Sequence, residues 1–225
     1  MTAWTTFLLA FSALLPIVNP LGSALVFLGL VGKAPPALYR SLAVRIAINN
    51  ILFLTAIELL GSAILNFFGI SLPIVEVAGG MVIAGMGWGV LNQNDSGVSV
   101  RQKQEESEDT GDAILHDLKE KLFYPFTFPI TSGPGTLVAV LTLTAHITEK
   151  TIARNALAHL GIFLAVVVIS AICYLCYAYA PKITKVIPPN TAHGILRVVA
   201  FILLCIGVQI AWNGLSQLLE TVIRH

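Results

Sequence analysis

Two short stretches of this sequence place helix-breaking residues beside polar side chains inside otherwise apolar runs. They are Pro16-Ile-Val-Asn-Pro-Leu-Gly-Ser23 and Pro129-Ile-Thr-Ser-Gly-Pro-Gly-Thr136. Proline has no N–H and clashes with the preceding turn, so two of them close together interrupt a helix. In hydrocarbon, the freed backbone groups are tolerated only where they are buried in protein or line a wet cavity. A helix that stops near Leu15 or Phe128 leaves carbonyls that suit an ammonium group or a cation. One that restarts near Ser23 or Thr136 offers N–H groups and a positive dipole end that suit a carboxylate. The candidate binding set is therefore Asn19, Pro20, Gly22, Ser23, Thr131, Ser132, Gly133, Gly135 and Thr136, with Thr127 nearby. Gly22 and Gly135 would let a ligand approach the main chain. Neither stretch holds a charged residue, so the pattern fits a small zwitterion better than a strongly charged solute. The competing reading is a pair of proline kinks that serve only helix packing.

Charges inside apolar runs are costly and default to functional hypotheses. Glu58 is such a residue, with Thr55 and Ser62 on the same helical face, and is the candidate for a protonatable coupling group. A protonated Glu bonded to a neighbouring helix is the plain alternative. Arg45 and Asn49 share another face. They would line an inner vestibule, or Arg45 would reach to the headgroups. His159 completes the coupling or gating candidates, although a lone helical His usually serves packing. Gly85 and Gly89 form a GxxxG that predicts close helix approach. Gln209 and Asn213 read as packing partners. Cys173 and Cys176 form a CxxC on an apolar run with no second ligand pair, so no metal site is expected, and no cofactor. There is no HExxH, GxSxG or phosphate loop, so an enzyme is not expected.

The elements that must hold these residues follow from the composition. Of the 225 residues, 56% are hydrophobic and 11% charged, and the mean hydropathy is +0.83. Soluble domains carry about 25% charged residues. Long uncharged runs predict spans at 5–32, 40–68, 71–91, 120–145, 152–180 and 191–219, each long enough to cross a core about 30 Å thick. The first run has no basic residue before it, so it reads as a span and not a cleaved leader. Between the third and fourth spans, 92–119 holds seven of the twelve acids and predicts a solvated linker. Its last residues would form a short amphipathic helix. Net charge is +1, which gives no case for nucleic acid.

The two interrupted stretches lie 113 residues apart, so Pro16, Ile17, Gly22 and Ser23 align with Pro129, Ile130, Gly135 and Thr136. One residue further, Arg40 aligns with Arg154 and Arg45 with His159. With three spans in each repeat, the halves must cross in opposite senses. The expected fold is thus an all-α membrane protein of six transmembrane helices, built as two inverted three-helix repeats (1–91 and 120–225) with helices 1 and 4 broken. Ten of the thirteen Lys and Arg fall on one side, leaving Lys150, Arg154 and Arg224 on the other. That asymmetry puts both termini outside and the linker in the cytoplasm.

Asn19-Pro-Leu-Gly22 and the run Phe128 to Thr136, together with Gly79-Gly80 and Ile206 to Gly214, resemble the MarC family of bacterial inner-membrane proteins. The resemblance covers essentially the whole chain in the same order. It implies an inner-membrane location, so that the termini placed outside by the basic residues would be periplasmic, and kinship with LysE-type transporters. It also implies transport of small neutral amino acids such as alanine or glycine; a proton or sodium ion is the expected coupling partner. Another small solute and a non-transporting membrane scaffold are the alternatives. The lipid bilayer is the expected surrounding, and the oligomeric state is left open.

Overall fold

A computed structural model describes residues 2–32, 34–92, 120–146, 152–186 and 189–223. The linker expectation falls, from residue 93 onward, outside them. Helices α1 (Ala3–Val18) and α2 (Pro20–Val31) form the first span, α3 (Pro36–Phe67) the second and α4 (Leu72–Leu91) the third. An irregular segment, Leu122–Thr131, leads into α5 (Pro134–His146), and the two are bent by 67°. Helix α6 (Ile152–Ala178), the short α7 (Ala180–Val186) and α8 (Pro189–Ile223) complete the order. Five helical stretches are long and apolar enough to cross a membrane, and the bent pair makes a sixth if it counts as one span. No strand occurs among the described residues.

Local chemistry sets the ends. Helix α2 stops at Gly32, whose φ of 65° suits glycine, and α3 opens with Pro36 in its first turn. Helix α3 unwinds at Phe68 and Gly69, the latter at φ 66°. Helix α4 then starts after Ser71, with a proline in its first turn. Large apolar side chains such as Leu59, Met81, Leu175, Phe201 and Trp212 are exposed on the long helices. In lipid that surface is matched to its solvent.

Helix α6 packs against both α1 and α3, and α4 packs along α8. The second of these contacts is made by backbone. A Cβ at Gly80 would lie 2.6 Å from the Gly207 carbonyl, and one at Gly207 would lie 2.7 Å from the Gly80 carbonyl. Gly87 meets Ala200 and Leu204, and Gly214 meets Pro73 and Glu76. The glycines fall seven residues apart on each helix, which keeps them on one face. Gly79 faces the other way, against Val138 of α5. The GxxxG expectation is corrected here: Gly85 and Gly89 are exposed, and nothing lies within 4 Å of a Cβ built on either. Gln209 bonds Asn213 along α8 at 2.8 Å and does not reach a neighbouring helix through that bond.

A cluster of rings closes the bundle where α2 ends and α3 begins. Phe27 stacks on Tyr177 with centroids 4.7 Å apart, and stands edge-on to Phe126 at 5.3 Å and Tyr39 at 5.9 Å. All four are buried, and the Tyr39 hydroxyl donates to the Gly32 carbonyl.

Candidate functional site

The first interruption is narrower than the sequence predicts. Helix α1 runs to Val18, not Leu15, and α2 resumes at Pro20, so Asn19 alone carries the break. Asn19 adopts φ 45°, ψ 67°, a left-handed conformation that Asn tolerates better than most residues. Its N–H donates to the Leu15 carbonyl at 3.0 Å, closing α1. Its side-chain oxygen accepts from the Gly22 N–H at 3.2 Å, capping α2. A Cβ at Gly22 would collide with the Asn19 amide, so glycine is what lets the cap sit there. Asn19→Ala removes a cap worth about 1 kcal/mol and adds a left-handed penalty of about 1–2 kcal/mol. Asn19→Gly loses only the cap. Thermal unfolding in detergent should rank wild type, then Asn19→Gly, then Asn19→Ala. An Ala variant as stable as wild type removes this account of the break.

The second interruption is wider. Tyr124 and Phe128 are extended, as residues before proline prefer, and each precedes a cis peptide bond to Pro125 or Pro129. Around them the bonds skip to the fifth residue. The Thr127 hydroxyl donates to Leu122 at 2.8 Å, the Thr131 hydroxyl to Phe126 at 2.7 Å, and the Ser132 N–H to Thr127 at 2.9 Å. The segment therefore continues past Phe128 to Thr131, and α5 restarts at Pro134 and not at Thr136.

The two interruptions touch. Ile130 would pass its carbonyl to residue 134 in a helix, but residue 134 is proline and has no N–H. The Ser23 hydroxyl of the other break lies 3.1 Å from that carbonyl instead, and 2.8 Å from the carbonyl of Val18. One hydroxyl has one proton, so two carbonyls share a single donor and the junction holds spare acceptor capacity. Beside it, Thr136 in the first turn of α5 is buried, and its hydroxyl has no partner. A Cβ at Gly135 would press on Ile83 of α4 at 2.7 Å and approach Ile17 of α1 at 3.6 Å. Gly133, also buried, lies against the Pro129 carbonyl.

Side chains of α3 and α6 complete the junction. Ser132 donates to the Asn50 side-chain oxygen at 2.6 Å, and the Asn50 amide donates to Ser170 at 3.0 Å. Thr131, its proton committed to Phe126, accepts from Tyr177 at 2.8 Å. Ser23, Thr131, Ser132, Thr136, Asn50, Ser170 and Tyr177 are all buried and none is charged, so the junction stands closed to solvent. Asn19, Pro20 and Gly22 border it, with Asn19 and Gly22 half-buried.

Asn50, Ser170 and Tyr177 escape the sequence reading, which singles out Asn49 and Arg45 on α3. Asn49 is half-buried and Arg45 exposed, and it is the neighbouring Asn50 that faces the junction. Asn50, Leu54 and Glu58 repeat at helical spacing and are all buried. Glu58 is turned inward, and its carboxylate lies 3.1 Å from His159 of α6, so His159 is no lone histidine. Glu76, in the first turns of α4, accepts from Gln217 of α8 at 3.1 Å.

The profile of the MarC family of integral membrane proteins matches residues 4–219. The inner membrane protein MarC of Escherichia coli strain K12 is 25% identical over 211 residues, covering 92% of this chain and 93% of the relative. The MarC protein of Shigella flexneri matches to the same extent. No solved structure matches significantly. The apolar helices make this a multi-pass membrane protein, and its relatives carry the name of the inner membrane. Its described spans, its interrupted helices and this end-to-end match lead to one conclusion: the chain belongs to the MarC family of integral membrane proteins.

Proposed function

We propose that this chain is a secondary transporter or exporter of small neutral solutes, with amino acids of the alanine and glycine kind as the leading class. Its substrate would sit at the junction of the interrupted first and fourth spans. The observation that carries the reading is the unfinished hydrogen bonding there. A buried Thr136 hydroxyl has no partner, and two carbonyls share the Ser23 proton. A buried polar group left open costs about 1–3 kcal/mol, and a bound zwitterion would satisfy both kinds of group. Its ammonium would go to the Val18 and Ile130 carbonyls, and its carboxylate to Thr136 and the start of α5.

The arrangement in halves, 1–91 and 120–225, belongs to the same proposal. In its support, α4 packs on its counterpart α8 and α3 on its counterpart α6. The contact of α1 with α6 has its mate in the contact of α3 with the irregular segment and α5. The contact of α4 with α5 has its mate in that of α1 with α8. Exchange of the halves thus maps these contacts onto themselves or one another, as a two-fold relation would. The Lys and Arg distribution supports periplasmic termini and a cytoplasmic 92–119 linker.

Thr136→Val is the sharp test, because it keeps the shape and removes a hydroxyl that bonds nothing in the empty protein. Melting should stay level or rise. Uptake of labelled alanine or glycine by proteoliposomes should fall roughly three- to tenfold, the worth of one substrate hydrogen bond. Unchanged uptake would remove Thr136 from the site. No uptake across a panel of neutral amino acids by the folded wild type would sink the substrate class, and a scaffold would give that result for every solute.

A further inference from the structure

The junction leaves unused one pair of titratable groups, Glu58 and His159. We infer that they form a proton-binding site that couples solute movement to proton movement, entered from the end of the bundle where α3 passes into α4. The inference rests on the transporter reading above and gives it a coupling ion.

The pair is built by two helices. Glu58 Oε1 lies 3.1 Å from His159 Nδ1, with the carboxylate side chain 2% exposed and the imidazole 30%. With one shared proton the pair is neutral overall. A second proton, taken from water onto the carboxylate, leaves the pair with a net positive charge and replaces an ion pair by a weaker bond to a neutral acid. No bond other than to hydrogen changes. The carboxylate lies inside the protein, so the change in charge is felt across the α3–α6 contact and can shift how the two helices sit.

A polar cavity lies further along the same helix face. A cavity of about 120 Å³ is lined by Ser62, Asn66, Ser71, Leu141, Thr144 and Ala145. Ser62 lies one helical turn beyond Glu58, and Asn66 one turn further. The Thr144 hydroxyl beside it is buried without a protein partner. In the other direction the Thr55 hydroxyl, also buried and unpartnered, lies between Glu58 and Asn50. Asn50 holds Ser132 at the junction. Polar groups therefore run along α3 from the cavity to the breaks, over roughly 24 Å at 1.5 Å per residue. In the orientation that the basic residues favour, the cavity faces the periplasm.

The surroundings leave the pair to itself. Helix α1 and the irregular segment carry no carboxylate or basic residue, and α5 carries only His146, its last residue. On α6, Arg154 is exposed, and on α4 the carboxylate of Glu76 bonds Gln217 of α8.

The site is tested apart from transport. In the full chain labelled at its five histidines and held in nanodiscs, the NMR signal missing from His159→Gln is that of His159. At one fixed pH its ring-nitrogen shifts should change in Glu58→Gln, as the loss of a partner 3.1 Å from Nδ1 requires. Unchanged ring-nitrogen shifts overturn the site, whether or not the chain transports. Coupling is read in proteoliposomes containing pyranine. An alanine gradient should move protons in wild type, and protons moved per alanine should fall about tenfold or more in Glu58→Gln and His159→Gln. An unchanged ratio overturns coupling through this pair. Absence of alanine and glycine movement in wild type, with the ring-nitrogen shifts changed as expected, is instead a failure of the transporter reading.

Discussion

Gly207→Val is expected to lower the melting temperature sharply, and Gly85→Val to leave it nearly unchanged. At Gly207 the new side chain would enter the backbone of α4, against the Ala84 N–H and the Gly80 carbonyl. Backbone cannot rotate aside as a side-chain tip does, so α8 must move bodily away from α4. Overpacking a core usually costs about 1–3 kcal/mol, and a contact between two main chains belongs at or above the top of that range. For a chain of this size, 3 kcal/mol corresponds to a drop in melting temperature of roughly 10 °C. Gly85 is exposed with open space around it, and replacing a helical glycine there costs nothing in packing. Fluorescence-detected size exclusion after heating ranks the two directly. Equal melting of both variants would show that the α4–α8 contact lies elsewhere.

Asn50→Leu is expected to damage the junction more than any single change to the break residues' own side chains. It strands two hydroxyls at once: Ser132 loses its acceptor and Ser170 its donor. Each stranded group costs about 1–3 kcal/mol in an interior without water. The irregular segment would then have lost its tie to α3, and solute counterflow per folded molecule should drop about tenfold or more. Asn49→Leu is the comparison, since Asn49 is half-buried and the tie is made by Asn50. Similar losses in both variants would mean that Asn50 acts only through helix stability. The double change Asn50→Leu with Ser132→Ala should recover part of the melting temperature, because it removes one stranded hydroxyl.

What could be read beforehand divides by the range of the interaction. The breaks at Asn19 and around Pro129 were legible because the missing N–H and the pre-proline restriction act within a few residues. Their extents were not, because the cap at Asn19 and the fifth-residue bonds from Thr127 and Thr131 depend on how side chains turn back. Spans followed from length and hydropathy alone. The inward face of α3 did not, because Arg45 and Asn49 make as good a polar stripe as Asn50 and Glu58 until α6 selects one. The bond from Glu58 to His159 joins residues 101 apart in sequence, and nothing local announces it. The glycines show the same divide. Gly85 and Gly89 fit a known spacing, but Gly80, Gly87, Gly207 and Gly214 make the contact, and only the partner helix decides between them.

If the junction is the solute site proposed above, the ring cluster around Phe27 governs how often it can be visited from its end of the bundle. Passage there requires parting Phe27 from Tyr177, Phe126 and Tyr39. Each such pair contributes roughly 0.5–1.5 kcal/mol beyond its buried area. The opened form is then a minor species, between roughly a tenth and a thousandth of the molecules. A solute arriving from that side finds only this competent fraction, so its apparent dissociation constant is weaker than the intrinsic one by the same factor. A half-saturating concentration measured from that side therefore reports the stacking of four rings as well as the fit of the site. Trimming Phe27 would lower it without touching a group that meets the solute.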